Sequence, residues 1–143
     1  MGRLEQIWIK RAHRGLMDAA PAGMLETGKG LVGNANYGGR RQVTIIAAER
    51  WAELEAVLDA SINQSARRAN LLVSGIDLVE TRDRILRVGA CRLLIGGETR
   101  PCERMEEAFP GLQEAMRSRW GGGAWAQVEQ GGEIRVGDDV LWE

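Results

Sequence analysis

The chain has 143 residues, of which 44% are hydrophobic and 27% are charged, and its formal net charge is −1. This balance predicts a folded protein and excludes a disordered chain, while the near-neutral charge argues against a general nucleic-acid binder. The length suits one domain over residues 1–143, large enough to bury a core. The 19 glycines and the low aromatic content of 5% favour a β protein with many turns.

The N-terminal residues and the hydropathy pattern bear on location. The chain begins without the charged-then-apolar pattern of a signal peptide, and no apolar run approaches the ~20 residues of a membrane span. We therefore expect a cytoplasmic protein with no membrane partner, in which Cys91 and Cys102 are reduced. Two cysteines and the single histidine, His13, cannot complete a tetrahedral zinc site.

Short apolar runs predict strands along most of the chain. In chain order they cover residues 6–11, 22–26, 41–47, 70–78, 85–89, 91–95, 124–129, 133–136 and 140–142. Residues 13–20 and 28–40 are expected to be loops. A helical period predicts a helix over 48–60, with a buried face formed by Trp51, Leu54, Val57 and Leu58. Two further helical segments are expected after Cys102, separated at Pro110-Gly111.

Residues 85–89 and 133–137 repeat one pattern, a short strand followed by a glycine turn and another apolar strand. We interpret them as similar hairpins in one curved sheet, with Gly131-Gly132 as a hairpin turn. Short strands, glycine turns and two helical insertions together predict a mainly β fold of the α+β kind. The expected architecture is a closed or nearly closed β-barrel with a few peripheral helices.

The segment 98–105 contains the strongest candidate for chemistry, Cys102. The residue lies where a predicted strand gives way to a predicted helix, so the free N–H groups of that helix would face its sulfur. Arg100 and Arg104 add positive charge nearby, whereas Glu103 opposes it. This context favours the thiolate, which is the nucleophile and the soft-metal ligand. The alternative is that Cys102 is a small apolar filler.

Three other residues have side chains that could react or bind a ligand, but their sequence contexts indicate such a role less strongly. Cys91 lies inside a predicted apolar hairpin and is expected to be structural. Lys29 lies among the glycines of the segment 28–34, which could cradle an anion or could form a plain tight loop. His13 is expected to be a surface residue.

Several motifs occur in an order that resembles the MOSC domain, the C-terminal domain of molybdenum cofactor sulfurases, in its small stand-alone bacterial form. An early loop, Arg14-Gly15-Leu16-Met17, is similar to one in small bacterial members. The other motifs are Gly30-Leu31-Val32-Gly33-Asn34, Arg41-Gln42-Val43-Thr44, Arg68-Ala69-Asn70-Leu71, Ser74-Gly75-Ile76-Asp77-Leu78, Pro101-Cys102 and residues 131–138.

The resemblance implies a barrel fold and a role for Cys102, Arg68 and Asn70, and the chemistry of Lys29 and Arg41 suits the same ligand. Cys102 would be the family cysteine, which carries sulfur as a persulfide or ligates the molybdenum of the pterin cofactor. Arg68 and Asn70 would belong to the Arg-x-Asn-Leu signature of the family. With Lys29 and Arg41 they would bind the molybdenum cofactor, since arginine suits its oxyanions. For Arg41 and Arg68 the alternative is surface salt bridging.

Two positions depart from the family pattern. Asn34 stands where the family usually has aspartate, and Leu16 stands where a proline is usual before Met17. We also expect no pyridoxal-phosphate desulfurase domain, because the chain has no room for one. A separate cysteine desulfurase would then be the sulfur donor.

Three functions remain open from the sequence. The first is a sulfur carrier or sulfurtransferase that passes sulfur from Cys102 to the molybdenum cofactor or to its acceptor enzyme. The second is a molybdenum-cofactor enzyme that reduces N-hydroxylated compounds. The third is a non-catalytic module that binds the cofactor.

Overall fold

The computed structural model describes residues 2–143, and within them it contains eleven strands, three α-helices and one 3-10 helix. The strands are β1 Gly2–Lys10, β2 Met17–Ala20, β3 Ala22–Glu26, β4 Gly30–Leu31, β5 Val43–Ala47, β6 Leu71–Ser74, β7 Ile85–Val88, β8 Cys91–Glu98, β9 Ala124–Gln130, β10 Gly132–Arg135 and β11 Asp139–Trp142. The α-helices are α1 Ala48–Leu58, α2 Glu103–Ala108 and α3 Leu112–Ala115, and the 3-10 helix is Gln64–Arg67.

Seven of the described strands close into a barrel in the order β1-β6-β5-β9-β8-β7-β11, with β11 returning to β1. The pairing of β5 with β6 is parallel and the other pairings are antiparallel. β1 pairs with β6 along one edge, whereas its other edge pairs first with β11 and then with β2. The expected closed barrel with peripheral helices is confirmed.

Residues 17–20 form a strand, although we expected residues 13–20 to be a loop. The strand β2 pairs with the far end of β1, from Ile7 opposite Ala20 to Lys10 opposite Met17. β1 continues past its two-residue pairing with β11, so this part of its edge is left for another strand. The strand conformation of residues 17–20 is therefore determined by pairing with β1 rather than by their own composition.

The strands β3, β4 and β10 form a separate small sheet in the order β10-β3-β4. The prediction of two similar hairpins in one sheet is therefore wrong for residues 133–137. β7 and β8 do form a hairpin, but β10 pairs with β3 and not with β9. Gly131 packs so closely that a Cβ there would lie 2.3 Å from the Leu25 carbonyl oxygen, and Gly132 has a φ of 151°. The two glycines thus move the chain to another sheet instead of folding it back.

Alternation along the strands produces two buried clusters, one inside the barrel and one between its wall and the helices. Ile45 and Leu71 belong to the inner cluster, whereas their neighbours Ile46 and Leu72 belong to the outer one. α1 buries Trp51 and Leu54 in the outer cluster, as expected. Val57 was expected on the same face, but its side chain is 73% exposed.

The described helices are short, and α1, with 11 residues, is the longest of them. None of the helices within residues 2–143 has the length and apolar character needed to cross a membrane.

Candidate functional site

Cys102 lies at the predicted junction, as the N-cap residue of α2. The segment that carries it leaves the end of β8 and is held at Thr99, whose backbone N–H donates to the Gly123 carbonyl at 2.9 Å. Cys102 itself is extended, and its carbonyl accepts a 2.9 Å hydrogen bond from the N–H of Met105, which opens the helix. Its thiol is exposed, so it can meet a partner or a ligand in solution.

Two consecutive arginines from the 3-10 helix approach this junction from the side. Asn63 caps that helix by accepting a hydrogen bond from the Ser65 N–H, and the helix packs against α2. Arg68 ends it in the left-handed conformation, with a φ of 62°. Arg67 then donates from Nε to the Gly122 carbonyl at 2.7 Å, while Arg68 donates from Nη2 to the Gly15 carbonyl at 2.7 Å. Neighbours in sequence therefore serve different parts of the site.

Arg67 is the more unusual of the two because it is only 7% exposed and has no carboxylate partner for its charge among residues 2–143. Burial lowers the pKa of Arg67 to about 10, the negative charge of a Cys102 thiolate opposes the shift, and Arg41 adds to it. Its Nη2 is buried and has no hydrogen-bond partner among residues 2–143. A buried donor of this kind is costly, so it favours an acceptor brought by a ligand.

The charges around Cys102 are mainly positive. Burial lowers the pKa of the half-buried Lys10, and the cations Arg68, Arg67 and Arg104 lower it further, whereas Cys102 raises it. Burial and Arg104 also lower the pKa of Arg68, which Cys102 again raises. These cations repel one another and are stabilised by an anion at Cys102. The site is therefore suited to a thiolate, a persulfide or an anionic ligand.

Asn70 connects two strands, β1 and β5, to the loop of Asn34. It is 2% exposed, and its Oδ1 accepts hydrogen bonds from the backbone N–H and the hydroxyl of Thr44. Its Nδ2 donates to the Trp8 carbonyl and to Asn34 Oδ1, both at 3.0 Å. All of its hydrogen-bonding groups are thus used inside the protein. Asn70 holds β1, β5 and the loop of Asn34 together and has no group left for a ligand.

Of the other residues predicted from the sequence, Arg41 reaches the cluster and Lys29 does not. Arg41 is exposed, and its charge acts on Arg67. Lys29 lies at the turn between β3 and β4, beside Gly28, whose N–H donates to the Val128 carbonyl. Val128 is near the end of β9, whereas Cys102 lies near its start. Val128 is four residues after Ala124, the first residue of β9, which is about 13 Å along the strand.

A family comparison agrees with this geometry. A family model described as the MOSC domain matches residues 32–141. The chain belongs to the MOSC domain family. MOSC domains are associated, as a family, with the molybdenum cofactor. No curated protein sequence matches this MOSC domain significantly.

Solved structures share the fold of this MOSC domain. YuaD from Bacillus subtilis is 21% identical, with a TM-score of 0.82 over 98% of this chain and 94% of that one. YiiM from Geobacillus stearothermophilus is 15% identical, with a TM-score of 0.79 over 100% and 75% of the two chains. YiiM from Escherichia coli is 15% identical, with a TM-score of 0.68 over 99% and 69%. At these identities the similarity shows the fold.

The MOSC domain keeps a hydrogen-bond acceptor at position 34, where the resemblance led us to expect aspartate. Asn34 is buried, and its Oδ1 accepts from the Lys10 backbone N–H and from Asn70 Nδ2, both at 3.0 Å. A carboxylate oxygen would accept the same two bonds. Asn34 thus retains the contacts that place Lys10 and Asn70.

The sequence did not single out Arg67, Lys10 or Thr99 as site residues. Arg67 could have been suspected from two arginines directly before a buried strand, but nothing in the residue types says which of the two turns inward. The left-handed φ of Arg68 decides this. Lys10 and Cys102 are far apart in sequence, and the fold brings their charges together.

Proposed function

We propose that this MOSC domain carries sulfur on Cys102 as a persulfide and passes it to an acceptor. The observation that supports this function is an exposed cysteine whose sulfur, when ionised, interacts with the charges of Lys10, Arg67 and Arg68. The ionised sulfur is the nucleophile in sulfur exchange.

The loading reaction follows from thiol–disulfide chemistry. The Cys102 thiolate attacks the terminal sulfur of a donor persulfide, a new S–S bond forms at Sγ, and the donor leaves as its own thiolate. Atoms and electrons balance without an added oxidant. The sequence-based choice of donor is a cysteine desulfurase, and the exposed position of Cys102 suits an approach by another protein.

Each cation has a role in this reaction. Arg67 is fixed by its bond to Gly122 and gives a stationary charge, while Arg68 is fixed through Gly15. Lys10 extends from the end of β1, where Asn34 holds its backbone. Together they stabilise the anionic sulfur before and after loading.

A second candidate function is binding of the molybdenum cofactor, and the same residues fit it. The unpartnered Arg67 Nη2 and the positive cluster suit an anionic phosphate, and Cys102 supplies a soft sulfur ligand for the metal. When bound, the cofactor would supply two-electron chemistry, such as reduction of N-hydroxylated compounds. Without that chemistry, the chain would act as a binding module.

Mass spectrometry after incubation with a cysteine desulfurase and free cysteine tests the sulfur-carrier function. We expect the intact protein to gain the mass of one sulfur atom at Cys102, and the gain to disappear in Cys102→Ser. Cys91→Ser is the matched control and should load normally, because Cys91 is buried and away from the cations.

The second candidate has a separate measurement. Molybdenum that copurifies with the protein from a host that makes the cofactor, and that is lost in Cys102→Ser, would favour cofactor binding. If Cys102 never gains sulfur, the sulfur-carrier function is wrong.

A further inference from the structure

Two buried polar atoms beside Cys102 have no partner within residues 2–143. One is Nη2 of Arg67 and the other is the hydroxyl oxygen of Thr99. Arg67 is 7% exposed and Thr99 is 8% exposed. Both side chains are therefore buried, whereas Cys102 is exposed. Native proteins rarely leave such groups unbonded, so two at one place point to a ligand.

Arg67 and the backbone of Thr99 contact neighbouring residues of one segment, Gly122 and Gly123, which also borders the cysteine segment. Arg67 Nε is bonded to the Gly122 carbonyl, and the next residue, Gly123, accepts the hydrogen bond from the Thr99 N–H. A Cβ on Gly122 would lie 1.9 Å from the Thr99 carbonyl oxygen and 3.5 Å from Cδ of Pro101. The guanidinium therefore lies against the chain that leads directly into Cys102.

The two groups are also chemically matched. Nη2 can only donate, and a threonine hydroxyl can donate as well, so a ligand that satisfies both must offer several acceptor oxygens. Lys10, Arg41 and Arg68 add positive charge around the same place. These donors and charges select a small oxyanion with more than one negative charge.

We propose that this site binds a sulfur oxyanion, with its sulfonate oxygens on Arg67 and Thr99, and that thiosulfate is a direct sulfur donor to Cys102. The proposal rests on the proposed function, since it names the substrate class of the same thiol. Thiosulfate has both of the properties that a ligand of this site needs. It has an SO₃ group for the donors and a terminal sulfur that a thiolate can attack.

The transfer is balanced as written. The Cys102 thiolate forms a bond to the terminal sulfur of thiosulfate, and the S–S bond of thiosulfate breaks. Sulfite leaves with both electrons of that bond, and Cys102 becomes a persulfide anion. The total charge is the same on both sides, and no outside oxidant or reductant takes part. Arg67 and Thr99 would hold the departing sulfite, whose charge grows as the bond breaks.

The test measures sulfite release and persulfide formation on mixing the protein with thiosulfate. Thr99→Val is the decisive variant, because valine has nearly the same shape and removes a hydroxyl that has no hydrogen-bond partner in the part of the chain that the structure describes. We expect Thr99→Val to unfold at the wild-type temperature and to react at least about tenfold more slowly with thiosulfate. Arg67→Met should lose the reaction almost completely.

A charge control and a second donor complete the design. Arg87→Met removes an equal charge from the exposed face of β7 without touching Arg67 or Thr99, and its rate should stay within about twofold of wild type. Loading from a desulfurase persulfide should be unchanged in Thr99→Val, since that donor brings no SO₃ group.

The possible results separate this proposal from the proposed function. If the desulfurase loads Cys102 but thiosulfate does not, or if Thr99→Val reacts with thiosulfate like wild type, the oxyanion proposal is overturned and the carrier function stands. If neither donor loads Cys102, both fail. Sulfite should inhibit more strongly than inorganic phosphate at equal ionic strength; the reverse order would make this a phosphate site and overturn the choice of sulfur oxyanion.

Discussion

At the scale of single residues, the amides of Asn34 and Asn70 do the structural work beneath the site. Asn70 is hydrogen-bonded to Thr44 and Trp8, and Asn34 extends this hydrogen-bond network to the backbone of Lys10. Such a network is stable when every member is satisfied and costly when one is removed. The Arg-x-Asn-Leu signature therefore combines two roles: Arg68 supplies a positive charge, and the hydrogen bonds of Asn70 hold the neighbouring segments together.

Replacing Asn70 by alanine should be strongly destabilising. The change leaves the Trp8 carbonyl and the Thr44 N–H without their bonds to Asn70, at about 1–3 kcal/mol for each buried group left unsatisfied, and it removes one of the two donors to Asn34 Oδ1. Chemical denaturation would measure the loss in the free energy of unfolding. Asn63→Ala, on the exposed end of the 3-10 helix, is the control and should cost about 1 kcal/mol.

The substitution Asn34→Asp should be tolerated, whereas Asn34→Leu should not. Aspartate keeps an acceptor for the Lys10 N–H and for Asn70 Nδ2, and it lies among positive charges, while leucine has no acceptor. Melting temperatures of the two variants test this. Equal loss in both would mean that the oxygen of Asn34 is not what matters.

The two cysteines should differ sharply toward a neutral alkylating agent. Cys102 is exposed, whereas Cys91 is 0% exposed, and burial raises the pKa of Cys91, with Asp138 adding to the shift. Iodoacetamide should therefore label Cys102 alone until the protein is unfolded. Peptide mapping identifies the labelled residue. Cys102→Ser should keep the wild-type melting temperature, because its thiol contributes little packing.

At the scale of elements, the segment between α3 and β9 fixes the back wall of the site. Arg119 and Trp120 both adopt positive φ, and Gly121, Gly122 and Gly123 follow at once. Gly122 needs no special φ but cannot hold a side chain, because its Cβ position lies 1.9 Å from the Thr99 carbonyl oxygen. The glycines thus allow the backbone of this segment to approach Thr99 closely, in addition to allowing unusual backbone angles.

We expect Gly122→Ala to separate this segment from Thr99 and to destabilise the protein by about 2 kcal/mol or more, as overpacking does. Arg67 would lose its bond to the Gly122 carbonyl in the same change. The unfolding midpoint in denaturant measures the effect. Gly39→Ala is the matched control, since its Cβ would meet only the Asn36 carbonyl at 3.2 Å. Similar midpoints for both variants would contradict the close packing.

The hairpin of β7 and β8 is a second element with a clear prediction. Cys91 opens β8 opposite Val88 and belongs to the cluster inside the barrel. An arginine there would bury an unpaired charge, so Cys91→Arg should fail to fold or should lose several kcal/mol. Circular dichroism and solubility measure this. Cys91→Val is the control of similar size and should remain folded; a soluble, native-like Cys91→Arg would show that the position is not enclosed.

Most strands could be predicted because alternation of polar and apolar residues is a local signal. The bounds of β3 were anticipated at Ala22 and Glu26, and the N-cap position of Cys102 followed from Pro101 and the change of period. The partner of β10 could not be predicted, because its sequence suits either a hairpin or a second sheet. Val57 fits the helical period of α1, yet nothing packs over it.

The site was harder to predict than the fold for a related reason. Arg68 and Cys102 could be named from motifs, but the burial of Arg67 depends on a left-handed turn that arginine rarely adopts. Lys29 looked similar to a ligand residue because of its glycines. Only the three-dimensional path of β9 shows that Lys29 lies near the end of this strand, whereas Cys102 lies near its start.

At the scale of the whole molecule, the net charge of −1 conceals a strongly uneven distribution. Burial of the Lys10 ammonium and repulsion from the cations around Cys102 raise the free energy of the folded state, and both lower the pKa of Lys10. Below that lowered pKa both the folded and the unfolded chain hold the proton, so the destabilisation is fully present. As the pH rises toward the ordinary lysine value of 10.5, the folded chain releases its proton first and stability is regained.

Lys10→Gln should therefore stabilise the protein at neutral pH. The gain should be about 0.5 kcal/mol, since Lys10 is half exposed and solvent screens part of the repulsion. It should vanish above the ordinary lysine pKa, where Lys10 is neutral in both states. Denaturation of wild type and variant across this pH range gives the difference. A loss of stability at neutral pH would mean that the lysine has a stabilising partner.

The pairing of β1 with β11 joins the first and last described strands through only Gly2 opposite Val140 and Arg3 opposite Asp139. On the ribosome, Cys102 is made well before the residues of β11. A growing chain therefore displays its thiol on an open sheet, without a closed wall behind it. The barrel that supports the cysteine segment is therefore completed only after β11 has been made.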